Sequence, residues 1–190
     1  MTAPRKRLTR EDWLDLSLTE LSAHGPDALR LDAICAAAGL TKGAFYHHFK
    51  DHSVFLDAVM EHWYQRQTEG VIGGVDPAAF SDDMFEALVE AAMKADFHLE
   101  MGIRHLVQHH PRLRSSLERA DTRRMDFAVA IYAARFDLSE AEARDLAFMD
   151  YAAYAGFSLL KPDISAEERL RLTRLYDRML RTTFQKRSGT

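Results

Sequence analysis

Lys42, Tyr46, His47 and Lys50 lie close together in the chain. At about 100° per residue they share one side of a helix with Gly43, while Phe45, Phe49 and His52 fall on the other. A tyrosine, a histidine and two lysines offer hydrogen bonds and positive charge, which phosphate oxygens and guanine edges accept. A glycine early in a helix costs about 1 kcal/mol relative to alanine. Gly43 makes sense if another backbone must come close to that face. Upstream, Arg5, Lys6, Arg7 and Arg10 precede or open the first helix, as an arm that can follow a nucleic-acid backbone or minor groove.

The elements around this face have a readable geometry. A short alanine-rich helix is expected over Asp32–Ala38, then a turn of Gly39, Leu40 and Thr41, then a second short helix capped by Thr41. Small residues Cys35 and Ala38 allow the two helices to cross closely, and Leu40, Phe45 and Phe49 pin the second one to a core. This is the pattern of a helix-turn-helix, whose second helix enters the major groove with its N-terminal residues nearest the bases.

Helix signals run through the rest of the chain and strand signals are almost absent, so the expected fold is all-α. Thr9 caps a first helix with Asp12 at the third position; Leu8 and Trp13 form a hydrophobic staple, and Gly25 ends the helix. A fourth helix is expected to run to about Ile72, where "GGVDP" breaks it. Ser81 opens a helix expected to reach about Met101, followed by a short one ending near His110. Pro111 opens the next, to about Phe136. Ser139 with Glu142 and Ser165 with Glu168 start the last two, ending near Leu160 and Phe184. About nine helices divide into residues 1–52, with a basic arm over 1–8, and a larger domain over 53–190.

The 190 residues are 47% hydrophobic and 28% charged, ordinary for a folded globular protein. The formal net charge of -4 argues against a protein that coats nucleic acid generally, yet the first fifty residues hold seven Lys/Arg against six Asp/Glu. A single cysteine, Cys35, leaves no intrachain disulfide or thiolate metal cluster. The N-terminus carries no apolar signal region and no apolar run approaches a membrane span, so a cytoplasmic location is expected.

On "AAAGLTKGAFYHHFKD" followed by "VFLDAV", residues 8–60 resemble the DNA-binding domain of the tetracycline-repressor (TetR) family of bacterial transcriptional regulators. The family reads here as a glycine, an aliphatic residue, a Ser/Thr cap, a small-residue pair (Gly43 and Ala44) and Tyr-x-His/Tyr-Phe. The resemblance implies DNA contacts from Thr41, Lys42, Gly43, Ala44, Tyr46, His47 and Lys50. It also implies a homodimer through the last two helices, about 139–160 and 165–184, and release from a palindromic operator by a small-molecule effector, usually as a repressor. Two positions depart from the pattern. His52 stands where the family commonly has a phosphate-binding lysine, which makes that contact absent or pH-dependent. Arg30 replaces a capping Ser/Thr, exchanging a cap for a phosphate contact.

Effector-pocket candidates in the larger domain are Phe97, Met101, His105, Phe127, Ile131, Phe148, Asp150, Tyr151 and Tyr154, since Met and aromatic side chains suit a pliable apolar cavity. His98, His105, His109 and His110 have spacings that a transition metal can use, as have His48 and His52. The simpler reading of both groups is surface and half-buried histidines, and no metal or cofactor is expected. No nucleophile–base pair, HExxH motif or phosphate-binding loop is present, so an enzyme is not expected. The alternative is a helical protein-interaction module with a vestigial DNA motif.

Overall fold

A computed structural model describes residues 7–79, 81–93, 96–161 and 163–184. Among these residues the fold is all-α, with no strand: α1 (Arg10–His24), α2 (Leu31–Ala38), α3 (Lys42–His48), α4 (His52–Tyr64), α5 (Gly70–Ile72), α6 (Asp82–Met93), α7 (Phe97–His109), α8 (Arg114–Arg135), α9 (Glu140–Leu160) and α10 (Ala166–Phe184). The chain forms two compact units. One takes in the chain up to Tyr64 together with His98–Leu117; the other takes in Gln65–Phe97 and the chain from Glu118 onward.

In the first unit the caps act as their residue types require. The Thr9 hydroxyl accepts the Asp12 N–H at 3.1 Å, and the Asp12 carboxylate accepts the Thr9 N–H at 2.7 Å, so two of the helix's unsatisfied donors are paired reciprocally. The core forms around aromatic rings. Phe45 is fully buried, with its ring centroid 5.7 Å from Trp13, 5.2 Å from Phe49 and 5.1 Å from Phe55. Burial of a ring of this size contributes roughly 1.5–3 kcal/mol, and edge-to-face contacts add to it. α7 lies against α1 where Gly102 meets Leu21. Arg112, just beyond α7, donates to the Asp57 carboxylate at 2.5 Å and to the Ser53 carbonyl at 2.7 Å, tying this segment to α4.

The fourth helical run reaches Ile72 as expected, through α4, a π-helical segment over Gln65–Glu69 and the short α5. The helix expected to reach Met101 is instead divided: α6 covers Asp82–Met93 and a separate α7 begins at Phe97. The physical reason is tertiary: the division falls beside Phe97, where the chain passes from one unit to the other, and an unbroken helix would hold its apolar face in a single core.

The second unit holds α5, α6, α8 from Glu118 onward, α9 and α10. Tyr132, Phe136, Ala143, Leu146, Ala147 and Leu180 make one buried cluster; Ile72, Phe127 and Ile131 make another. A buried ion pair joins α8 to α10, with Arg135 2.6 Å from Asp177, which also accepts from Arg181 at 2.7 Å. The Ser139 hydroxyl accepts the Glu142 N–H at 3.3 Å and the Glu142 carboxylate accepts the Ser139 N–H at 2.8 Å, completing the box at the start of α9. At α10 the Ser165 hydroxyl accepts the Glu168 N–H at 3.1 Å, while the Glu168 carboxylate pairs with Lys161 at 2.9 Å.

Candidate nucleic-acid interface

α2, the turn and α3 are locked by backbone geometry. Gly39 adopts the left-handed conformation (φ 65°, ψ 30°), and its N–H reaches the Ala36 carbonyl at 3.0 Å. The Leu40 N–H reaches Cys35 at 3.0 Å. A side chain at position 39 would meet no neighbour, so glycine is required there for its backbone freedom alone. Thr41 then caps α3: its hydroxyl lies 3.4 Å from the Ala44 N–H, and its carbonyl accepts the same N–H at 3.0 Å.

α3 divides as its wheel requires. Phe45 and Phe49 are buried, and Thr41, Lys42, Gly43, Tyr46, His47 and Lys50 are exposed. The Tyr46 ring packs edge-on against Phe45 at 5.4 Å, so the core orients a side chain that remains half exposed. His47 sits edge-on to His48 at 5.1 Å. A Cβ at Gly43 would touch nothing closer than the Thr41 hydroxyl at 3.6 Å. The protein itself therefore leaves room for a side chain there.

Arg30, exposed, is the N-cap residue of α2 and makes no side-chain cap bond, in line with the loss of the usual Ser/Thr cap. Arg7 is exposed ahead of α1, and Arg10 lies with its guanidinium 5.4 Å from the centre of the Phe49 ring. Arg5 and Lys6 lie outside the described residues. His52 is not brought into the exposed set: it is half-buried, with Nε2 2.8 Å from the Leu29 carbonyl. A ring held on a carbonyl through Nε2 carries its proton on that nitrogen, neutral or charged.

The sequence model of the tetR family of bacterial regulatory proteins matches residues 14–59, which span this helix-turn-helix and its supporting helices. Over these residues the chain is similar to the tetR family. Over 53 residues it is 42% identical to the HTH-type transcriptional regulator AcrR of Shigella flexneri, a match covering 28% of this chain and 25% of that protein. The whole chain is similar in fold to a transcriptional regulator from Rhodococcus sp. Rha1 (TM-score 0.74, 14% identity, 94% of this chain and 99% of the other). It is also similar to a regulator of the TerR/AcrR family from Aquifex aeolicus VF5 (TM-score 0.63, 16% identity, 90% and 98%). The family is one of transcriptional regulators, and the TetR-type helix-turn-helix is the element described above.

The effector candidates are distributed unevenly. In the second unit Phe97, Tyr154 and Tyr151 come together: Phe97 meets Tyr154 edge-on at 5.2 Å, and Tyr154 stacks on Tyr151 at 6.0 Å. Two arginines flank these rings. Arg169 places its guanidinium 4.3 Å from the Phe97 ring centre, and Arg124 donates to the Thr68 hydroxyl at 3.0 Å and to the Tyr151 hydroxyl at 3.4 Å. Tyr151 donates in turn to Asp121 at 2.5 Å. Asp121, Arg124 and Arg169 carry no sequence signal for this role, because their partners lie tens of residues away.

Phe127 and Ile131 belong to the separate cluster with Ile72. Phe148 is 65% exposed on α9. Asp150 is hydrogen-bonded to Tyr132, and burial of its carboxyl raises its pKa. The Tyr176 hydroxyl is buried with no hydrogen-bond partner, and burial followed by the nearby Asp150 charge pushes its pKa up.

Met101, half-buried, and His105, exposed, belong to the first unit, as do His98, His109 and His110. Burial lowers the pKa of His110, helped by the charges of His52, Arg112 and His109. Among the described residues no group of three or more His, Cys, Asp or Glu is placed to hold a metal ion. No described helix is long and apolar enough to cross a membrane.

Proposed function

We propose that this chain is a cytoplasmic, homodimeric, ligand-responsive transcriptional repressor. It reads a palindromic operator through α3 and is released by a small-molecule effector. The observation that carries the DNA-reading part is the exposed face formed by Lys42, Tyr46 and His47 of α3, with Lys50 exposed just beyond its end, oriented from below by the buried Phe45 and Phe49. Gly43 leaves that face open to a base edge or phosphate. Arg30 and the arm from Arg5 to Arg7 supply flanking charge, and residues 1–52 carry this activity.

The dimer reading rests on α9 and α10. Phe148, Met149, Leu159 and Leu160 on α9, with Leu175 and Met179 on α10, are large apolar side chains left exposed, Leu160 by 80%. A second copy covering the same helices by two-fold symmetry removes this surface from water and sets two α3 helices on successive major grooves. The effector-binding role falls to residues 53–190, where the Phe97, Tyr151 and Tyr154 rings with Arg124 and Arg169 suit a ligand with a flat apolar body and a polar group. Such an effector releases the operator by binding the DNA-incompetent state more tightly than the competent one.

The test is selection of bound sequences from genomic and random duplexes, followed by Tyr46→Ala with His47→Ala in the same chain. The double variant is expected to lose affinity for the selected palindrome by on the order of a hundredfold and to keep the parent's oligomeric state. Undiminished affinity would remove α3 from the interface. Recovery of a protein partner in place of any DNA sequence would instead establish a protein-interaction module.

A further inference from the structure

The reading face of α3 carries a charge that its own helix cannot explain. Lys42 opens α3, where the helix dipole disfavours a cation. Its Nζ lies 2.5 Å from an oxygen of Asp32, in the first turn of α2. The pair is open to solvent, with side chains 56% and 80% exposed, so it has no core to complete. The hydrogen bond and the charge of Asp32 raise the Lys42 pKa, keeping the ammonium charged. An acidic side chain among residues expected to face a polyanion opposes binding by long-range electrostatics. Yet it stands within hydrogen-bond reach of the lysine best placed to enter the groove.

Resting on the reading of α3 as the DNA-recognition helix, we infer that Asp32 is a specificity-determining positioning residue, holding Lys42 toward a base edge and withholding it from the phosphates. Phosphates are present at every step of every duplex, whereas paired acceptors such as guanine O6 and N7 occur only at particular bases. An untethered lysine takes the nearest phosphate whatever the sequence. A tethered one can do so only by leaving Asp32 as an unpaired carboxylate against the DNA backbone, and that penalty applies to every sequence. Where a guanine edge lies in reach, Lys42 can share its three donors between Asp32 and the base, and the penalty is avoided. Asp32 therefore lowers affinity for random DNA more than affinity for the operator.

The experiment compares the full-length parent, Asp32→Asn, Lys42→Met and the double variant. Each is titrated with the duplex recovered by selection and with a random duplex of the same length over a series of salt concentrations. Asp32→Asn is expected to raise random-duplex affinity by about tenfold, with a smaller gain on the selected duplex. It should also steepen the random-duplex salt slope by roughly 0.9, the value of one additional neutralised phosphate. In the Lys42→Met background the same substitution should alter neither the selectivity ratio nor the slope. A parent with no sequence preference would overturn the DNA-reading assignment together with this inference. A selective parent whose ratio and slope are unchanged by Asp32→Asn would overturn this inference alone. Persistence of the full effect in the Lys42→Met background would show general relief of negative charge and overturn the positioning role.

Discussion

Asp150 and the two carboxylates at the starts of α9 and α10 respond to pH in opposite directions. The Asp150 carboxyl lies beside Tyr132 and Tyr176, and its pKa is raised by burial, with the Tyr132 hydrogen bond opposing. Between the unfolded pKa of about 3.9 and the raised folded value, the native state keeps a proton that the unfolded chain has lost. Its contribution to stability therefore falls as pH rises through that window. Glu142, held low by its hydrogen bonds to Ser139, and Glu168, held low by Lys161, contribute stability that is present at neutral pH and lost on acidification. Asp150→Asn should remove the falling component, giving a variant whose urea midpoint relative to the parent improves as pH is raised from about 4 to 7. A constant difference across that range would show that Asp150 does not titrate differently in the folded state. Asp150 was legible in the sequence only as an effector-pocket candidate; that Tyr132 and Tyr176 would lie beside it was not, since they sit on other helices.

Among the elements, α7 shows a local rule overturned by packing. Alanine is preferred over glycine inside a helix by about 1 kcal/mol, which on propensity alone favours Gly102→Ala. A Cβ at position 102 would instead sit 2.9 Å from Leu21 Cγ and 3.0 Å from the Leu21 carbonyl oxygen. Leu21 is fully buried on α1 and its carbonyl cannot swing aside, so overpacking wins. Gly102→Ala should destabilise the protein by about 1–3 kcal/mol, read as a lowered urea midpoint with an unchanged slope. A raised midpoint would show that α1 and α7 can separate without cost. The caps of α1, α3 and α9 were readable because each is a contact within four residues. The division between α6 and α7 was not, because nothing within one turn marks where the chain changes unit.

At the level of the whole molecule, the exposed apolar side chains of α9 and α10 are where association is expected. Phe148→Glu combined with Met179→Glu places charge on both helices at positions that contribute nothing to the core of their own unit. The variant should keep the parent's helical signal and sediment as a monomer. Its affinity for the full palindrome should drop by on the order of a hundredfold or more, since the second half-site becomes a separate binding event. A dimer that survives both substitutions would place the interface elsewhere.

The all-α class, the helix-turn-helix and the exposed polar set around α3 were determined by the sequence alone. The period of Phe45 and Phe49, the Gly39–Thr41 turn and the cap residues are short-range patterns, and short-range patterns are written in consecutive residues. Tertiary structure decided what depends on separation along the chain. It ties His52 to Leu29, sets Asp32 against Lys42, and gathers Phe97, Tyr151 and Tyr154 between two arginines while leaving Phe148 outside. Side chains far apart in sequence meet only through the packing of whole helices. Helical period specifies which face of each helix is apolar, but not which other face will cover it.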